Sequence, residues 1–128
     1  MEATKIHLLG RDHTVVLPAF VEREELMLAF VEAQGRGGLT RLRVLSATLG
    51  LCTRIGRESG VDYPACKCDV LAYGGKVYGW LREKGVTPVD IATVATPLIL
   101  QVVDATHPRE VEVETREGFT EAGGGPTT

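Results

Sequence analysis

The tetrapeptide Thr87-Pro88-Val89-Asp90 carries the start signal of an α-helix, and no charged residue follows it until Asp104. Thr87 can cap the first turn, and Pro88 stands where its missing amide does no harm. Asp90 comes three residues after the cap, as in a capping box. The run Ile91–Val103 has apolar residues at helical spacing and no charge, so it must be buried on most sides or covered by a partner. Pro97 lies inside this helix and is expected to kink or interrupt it.

A second helix is predicted over the stretch DVLAYGGKVYGWLREKG, which runs from Asp69 to Gly85. Asp69 is placed to accept from the free amides of the first turn, and Gly85 follows a lysine at the expected end. Gly74, Gly75 and Gly79 each cost a helix interior about 1 kcal/mol relative to alanine, which indicates compensation by tertiary contacts. The last two are four apart, so another backbone can approach that face. We therefore expect this to be the central helix of the fold.

The rest of the chain predicts a mainly α (α+β) domain of about four helices with an N-terminal β-hairpin. Residues 1–108 are assigned to this domain, and 109–128 to an acidic, glycine-rich, flexible tail. One core is expected from the longest apolar stripes, at Leu45, Leu49, Tyr73, Val77, Leu81, Ile91 and Leu98. The remaining elements are a hairpin turning at Gly10-Arg11-Asp12, helices over Phe20–Gln34 and Leu39–Arg54, and a loop over Ile55–Pro64.

Composition and charge exclude several classes of function. The net charge of −3, from 14 basic and 17 acidic residues, argues against a nucleic-acid surface. We see neither an apolar run of the length that a membrane span needs nor an N-terminal signal peptide. Three cysteines do not make a disulfide framework, so a reduced, cytoplasmic protein is expected.

The spacing of two of the cysteines suggests a metal site. Cys66 and Cys68 stand one residue apart, and Cys52 with a histidine would complete a tetrahedral zinc site. In structural zinc sites the two cysteines of a pair are usually two to four residues apart, and a second pair of ligands completes the site. This chain shows neither feature, so ordinary thiols, with no metal or other cofactor, are the preferred interpretation. No nucleophile stands near a base in a recognisable pattern, and we expect no enzymatic activity.

Two segments, RVLSATLGLC and CDVLAYGGKVYGWLREKGV, resemble the tail assembly chaperones of long-tailed bacteriophages and related prophages. In that family a helix ending in LGLC-like residues precedes one of the form D-x-x-x-YG-x-x-V-x-x-x-L-x-x-x-G. The matching positions here are Leu49, Gly50, Leu51 and Cys52, then Asp69, Tyr73, Gly74, Val77, Leu81 and Gly85. The resemblance implies a protein of the host cytoplasm that keeps the tape-measure protein soluble, recruits tail-tube subunits and leaves before the tail is complete. It also implies a frameshifted longer form of the chain as a further partner.

An apolar groove for this client is expected on the two helices described first. The predicted partner-binding residues are Tyr73, Gly75, Gly79, Ile91, Val94 and Leu98. Three alternatives stay open: that these residues are simply core, that the chain is a structural virion component such as a tail-completion or connector protein, and that it is a small zinc-binding regulator. Whether it forms a homo-oligomer is also open.

Overall fold

The computed structural model of the protein describes residues 5–106 and confirms the predicted fold class. Within this range five α-helices follow a two-stranded antiparallel β-hairpin. The predicted tail lies outside the described residues. The elements are β1 (Lys5–Leu8), β2 (Arg11–Thr14), α1 (Phe20–Ala33), α2 (Gly38–Cys52), α3 (Ile55–Ser59), α4 (Val70–Glu83) and α5 (Pro88–Thr106).

The hairpin turns at Leu9-Gly10, two residues instead of the predicted three. Leu8 pairs with Arg11, so Arg11 already belongs to the second strand. Leu9 and Gly10 have φ angles of 59° and 77°. Positive φ at both central residues is the signature of a type I′ turn, which matches the twist of the two strands. The sequence rule failed here because leucine rarely occupies the left-handed region.

The two predicted helix starts are confirmed. Asp69 Oδ1 accepts hydrogen bonds from the amides of Leu71, at 3.0 Å, and Ala72, at 3.2 Å. Thr87 Oγ1 accepts from the amide of Asp90 at 3.1 Å. These side chains satisfy amides that have no partner inside the helix. Helix α5 is continuous from Pro88 to Thr106, so Pro97 does not interrupt it. The side chain of Pro97 is exposed.

The central helix is α2, and the prediction that α4 takes this place is wrong. Seven consecutive residues of α2, 44–50, are buried, and the helix contacts α1, α3, α4 and α5. Helix α4 is covered on one side only, since Ala72, Gly79 and Glu83 are exposed. A helix surrounded on all sides needs apolar or small residues throughout, and residues 44–50 (VLSATLG) meet that need.

Close approach of α2 and α4 depends on Gly74. A Cβ atom at this position would overlap the carbonyl oxygen of Arg43. The predicted close face, Gly75 with Gly79, is wrong: a Cβ at Gly75 would make an ordinary contact with Arg43 Nε at 3.6 Å, and one at Gly79 would meet nothing within 4 Å. The α2–α4 contact thus uses the side of α4 that also carries Tyr73 and Val77.

All seven residues predicted for the core are buried in one cluster. That cluster also includes Ile55 of α3, in a stretch predicted to be a loop. Helix α3 has only five residues, too few for a periodic pattern, and it ends at Gly60 with φ of 76°. Gly56 lies against the carbonyl oxygen of Gly50, which fixes this short helix to α2.

Candidate partner-binding surface

Three of the six predicted partner-binding residues belong to the core. Tyr73, Ile91 and Leu98 are 2%, 0% and 1% exposed. A partner cannot contact these side chains without opening the fold, so their assignment to the binding surface is corrected. Their apolar character serves the packing of α4 and α5 on α2 and α1.

The other three predicted residues lie at the surface in separate places. Val94 is half-buried and lines a cleft with His7 and Leu8 of β1. Gly75 is half-buried beside the side chain of Arg43, and Gly79 is exposed. Val94 and the two glycines therefore have different surroundings.

A different set of apolar side chains is exposed, on α1. Four side chains of this helix are between 52% and 63% exposed: Phe20, Val21, Leu28 and Val31. The intervals of seven from Val21 to Leu28 and three from Leu28 to Val31 place them on one side of the helix. Leu26 and Ala33 are buried on the opposite side, and Met27 is buried at the edge of the exposed side. We call the exposed side, defined by Phe20, Val21, Leu28 and Val31, the outer face of α1.

A groove continues this face toward α4. It lies between α1 and the start of α4 and has a volume of about 270 Å³. Leu28 and Ala29 form one wall, and Val70 and Leu71 form the other. Leu28 belongs to both the outer face and this α1–α4 groove, so the two make one apolar surface. Exposed apolar clusters bordered by polar groups mark interaction sites more often than isolated apolar residues do.

The polar residues of the α1–α4 groove are mainly acidic. Glu25, Glu32 and Asp69 line it, with Arg36 as the single basic residue of the lining. Within residues 5–106 the ion pairs are His7 with Asp12 and Arg11 with Glu58, so none of these three carboxylates pairs with a cation of the described chain. The groove therefore combines an apolar floor with excess negative charge.

Glu25 is held in place from the core. The hydroxyl group of Tyr63 is 2.6 Å from Glu25 Oε1 and 3.0 Å from the carbonyl oxygen of Cys68, and its one proton is shared between these two acceptors. The ring of Tyr63 packs edge-to-face on Tyr73, with 5.2 Å between centroids. Burial, and next the hydrogen bond to Glu25, raises the pKa of Tyr63 above its usual value. The phenol therefore stays a neutral donor to Glu25.

A second cleft, of about 700 Å³, lies between the hairpin, the start of α1 and α3. Its lining mixes charges, with Arg54 and Arg57 beside Glu22 and the Arg11–Glu58 ion pair. A balanced set of this kind lacks the net positive charge that an anion site requires. Its lining also includes apolar residues, among them Val16, Leu17 and Leu51, so its balanced charge is what distinguishes it from the α1–α4 groove.

The three thiols lie in different environments. Cys52 is buried, Cys66 half-buried and Cys68 exposed. Burial, aided by the charge of Glu22, raises the pKa of Cys52 to about 12, which disfavours the thiolate that a metal binds. No three His, Cys, Asp or Glu side chains come together as a metal site in residues 5–106.

Helix α5 was not predicted as a membrane span from its uninterrupted apolar run, but the whole helix has the length and composition of one. Its most apolar 18-residue window has a mean hydropathy of 1.4, and 28% of that window is buried inside the fold. Ile91, Ala95, Leu98, Ile99 and Val102 form the buried side of the helix, which packs on α1 and α2. Core helices of water-soluble domains share this apolar character.

Comparisons of the chain with family models, with curated proteins and with solved structures found no match.

Sequence reasoning missed the outer face of α1. None of Phe20, Val21, Leu28 and Val31 was among the predicted partner-binding residues. The sequence FVEREELMLAFVEA does carry a signal, because its apolar residues occupy both sides of a helix instead of one stripe. In such a helix the core of the chain covers one side, and apolar residues remain exposed on the other.

Proposed function

We propose that this protein is a non-enzymatic tail assembly chaperone whose outer α1 face and α1–α4 groove bind the tape-measure protein. The observation that supports the proposal is the row of four exposed apolar side chains on α1. The identity of the client, the recruitment of tail-tube subunits, the frameshifted longer form as a partner and the location in the host cytoplasm come from the resemblance to tail assembly chaperones.

The surface suits a partner that must later be released. Full burial of one such side chain contributes about 1.5 to 3 kcal/mol, and these four are already partly covered. Association itself costs about 4 to 15 kcal/mol in lost freedom. The surplus is therefore small, which favours reversible binding over a permanent complex.

Co-expression with the tape-measure protein of the same tail gene cluster tests the proposal. The natural chain is expected to keep the client in the soluble fraction, and Leu28→Ser to lose this effect. Leu100→Ser on α5 is the matched control, because Leu100 is 51% exposed against 57% for Leu28 and lies outside the groove. A Leu28→Ser chain that protects the client as well as the natural one contradicts the proposal.

Purified tails distinguish the proposal from the structural alternative. A chaperone leaves before the particle is complete, so the chain is expected to be absent from finished tails. Its presence at a fixed ratio to the tail-tube subunit would replace the chaperone with a virion component.

A further inference from the structure

We infer that the α1–α4 groove recognises a protein segment that carries lysine or arginine beside its apolar residues. This inference concerns the partner's chemistry and rests on the proposed function for the use of this surface. Three observations carry it: the excess of carboxylates, the anchoring of one of them, and the arrangement of charge relative to the apolar floor.

The carboxylates border the apolar residues on α1. Glu25 and Glu32 are seven residues apart and thus lie on one side of the helix, with Leu28 between them. Asp69 faces them from the cap of α4, where its Oδ1 already accepts from two amides. A partner that inserts an apolar side chain beside Leu28 brings its neighbouring residues close to these acids. Opposite charge at those positions stabilises the complex and fixes its register.

The anchoring of Glu25 makes it the best acceptor of the three. The Tyr63 hydroxyl at 2.6 Å holds the carboxylate while adding no positive charge. Tyr63 itself is 5% exposed and packs on buried Tyr73, so the donor is fixed by the core. A half-buried, oriented carboxylate loses little freedom on binding and forms a stronger bond with a cation than an exposed one does. Glu25 is therefore assigned as the residue that selects for a cationic partner.

The same charges argue against a second copy of this chain as the occupant. In a two-fold dimer the same patch faces itself, so the acids around Leu28 would meet their own copies. Like charges placed opposite each other cost several kcal/mol at an interface. A partner with basic residues removes this repulsion.

Three synthetic helical peptides test the charge preference directly. They share one leucine face and differ only in the flanking residues, which are lysine, glutamine or glutamate. We expect the lysine peptide to bind the full chain roughly ten-fold more tightly than the glutamine peptide, and the glutamate peptide most weakly. Added salt should reduce the difference, because it screens the charges. Equal affinity for the lysine and glutamine peptides overturns the inference.

Charge-removing variants locate the effect. Glu25→Gln keeps the shape of the side chain and is expected to weaken the lysine peptide roughly five-fold while leaving the glutamine peptide unchanged. Glu83→Gln is the matched control, because Glu83 is exposed at the far end of α4, outside the groove. Equal loss in both variants means that only net charge matters, which overturns the assignment of Glu25. Melting temperatures of the variants confirm that each is folded.

Two further outcomes separate this inference from the proposed function. If the tape-measure protein stays soluble in a Leu28-dependent way but Glu25→Gln has no effect on either assay, the function stands and the inference fails. If the chain forms a dimer that Leu28→Ser dissociates, the groove binds a second copy and the inference fails as well.

Discussion

Gly74 and Gly79 lie five residues apart on α4 in opposite surroundings. Gly74 faces the backbone of α2, where a Cβ would overlap the Arg43 carbonyl oxygen, whereas a Cβ at Gly79 meets open space. We expect Gly74→Ala to lower the free energy of unfolding by about 1 to 3 kcal/mol, because the two helices must separate. Gly79→Ala should raise it by about 0.5 to 1 kcal/mol, because alanine is the better helix former. Urea denaturation of the two variants measures both changes.

Each of these two variants serves as the control of the other, since both exchange the same residue types in one helix. A loss of similar size at both positions would mean that α4 does not cross α2 at Gly74.

Because a thiol and a phenol group are buried in the fold, we expect the free energy of unfolding to decrease at alkaline pH. Burial raises the pKa of Cys52 from 9.0 to about 12 and that of Tyr73 from 10.0 to about 12. The unfolded chain therefore loses these protons first, and the folded state is penalised as the pH rises. The stability is fully present below about pH 9 and falls by about 1.4 kcal/mol per pH unit for each group as the pH approaches 12.

Denaturation with urea at a series of pH values tests this expectation. Cys52→Ala removes the group that titrates first in the unfolded chain, so the decline should begin near pH 10 instead of pH 9. A free energy of unfolding that stays constant up to about pH 11 would contradict the burial of both groups.

Residue-level predictions from sequence succeeded where the determinants are local. The caps at Asp69 and Thr87 depend on a side chain and an amide two or three residues apart, so the pattern alone contains them. Leu9 shows the opposite case. Its φ of 59° is imposed by the pairing of Leu8 with Arg11, which local preference opposes.

At the scale of elements, the sequence predicted where the helices lie in the chain better than it predicted which of them is central. The four long helices are close to their predicted bounds because each has a periodic apolar pattern. The choice of α4 as the central helix failed, because Gly75 and Gly79 suggest close packing, whereas the backbone of α2 approaches α4 at Gly74. Whether a small residue faces a neighbour or solvent depends on the crossing of two helices, which one helix alone does not encode.

Pro97 allows a direct test of how α5 holds together. The proline has no amide for the carbonyl of Thr93, four residues earlier, and its ring crowds that carbonyl. Because Pro97 is exposed, Pro97→Ala should restore this bond without disturbing the core and raise the free energy of unfolding by about 1 to 3 kcal/mol.

Pro88→Ala is the matched control for this change. Pro88 occupies the first position of α5, where no intrahelical bond is missing, so its replacement should change stability by less than about 0.5 kcal/mol. If Pro97→Ala has as small an effect, the helix already accommodates its proline without cost.

For the whole molecule, the core was predictable and the uncovered side of α1 was not. All seven expected core residues are buried together. The longest apolar stripes of the helices pack against one another, because this removes the largest apolar area from water. The same stripes supplied Tyr73, Ile91 and Leu98 to the predicted binding surface, where they do not lie. The sequence does not distinguish an apolar side chain of the core from one at the surface. The arrangement of the other helices decides which side of α1 remains uncovered.

Amide hydrogen exchange of the chain, alone and bound to the tape-measure protein, tests directly where the client binds. We expect slowed exchange in α1 and in the first turns of α4 around Leu71, because the client covers the outer face of α1 and the α1–α4 groove. Amides of the exposed side of α5 around Leu100 should exchange at unchanged rates and serve as the internal reference. Protection confined to α5 or the hairpin, with α1 unchanged, would contradict the proposed binding surface.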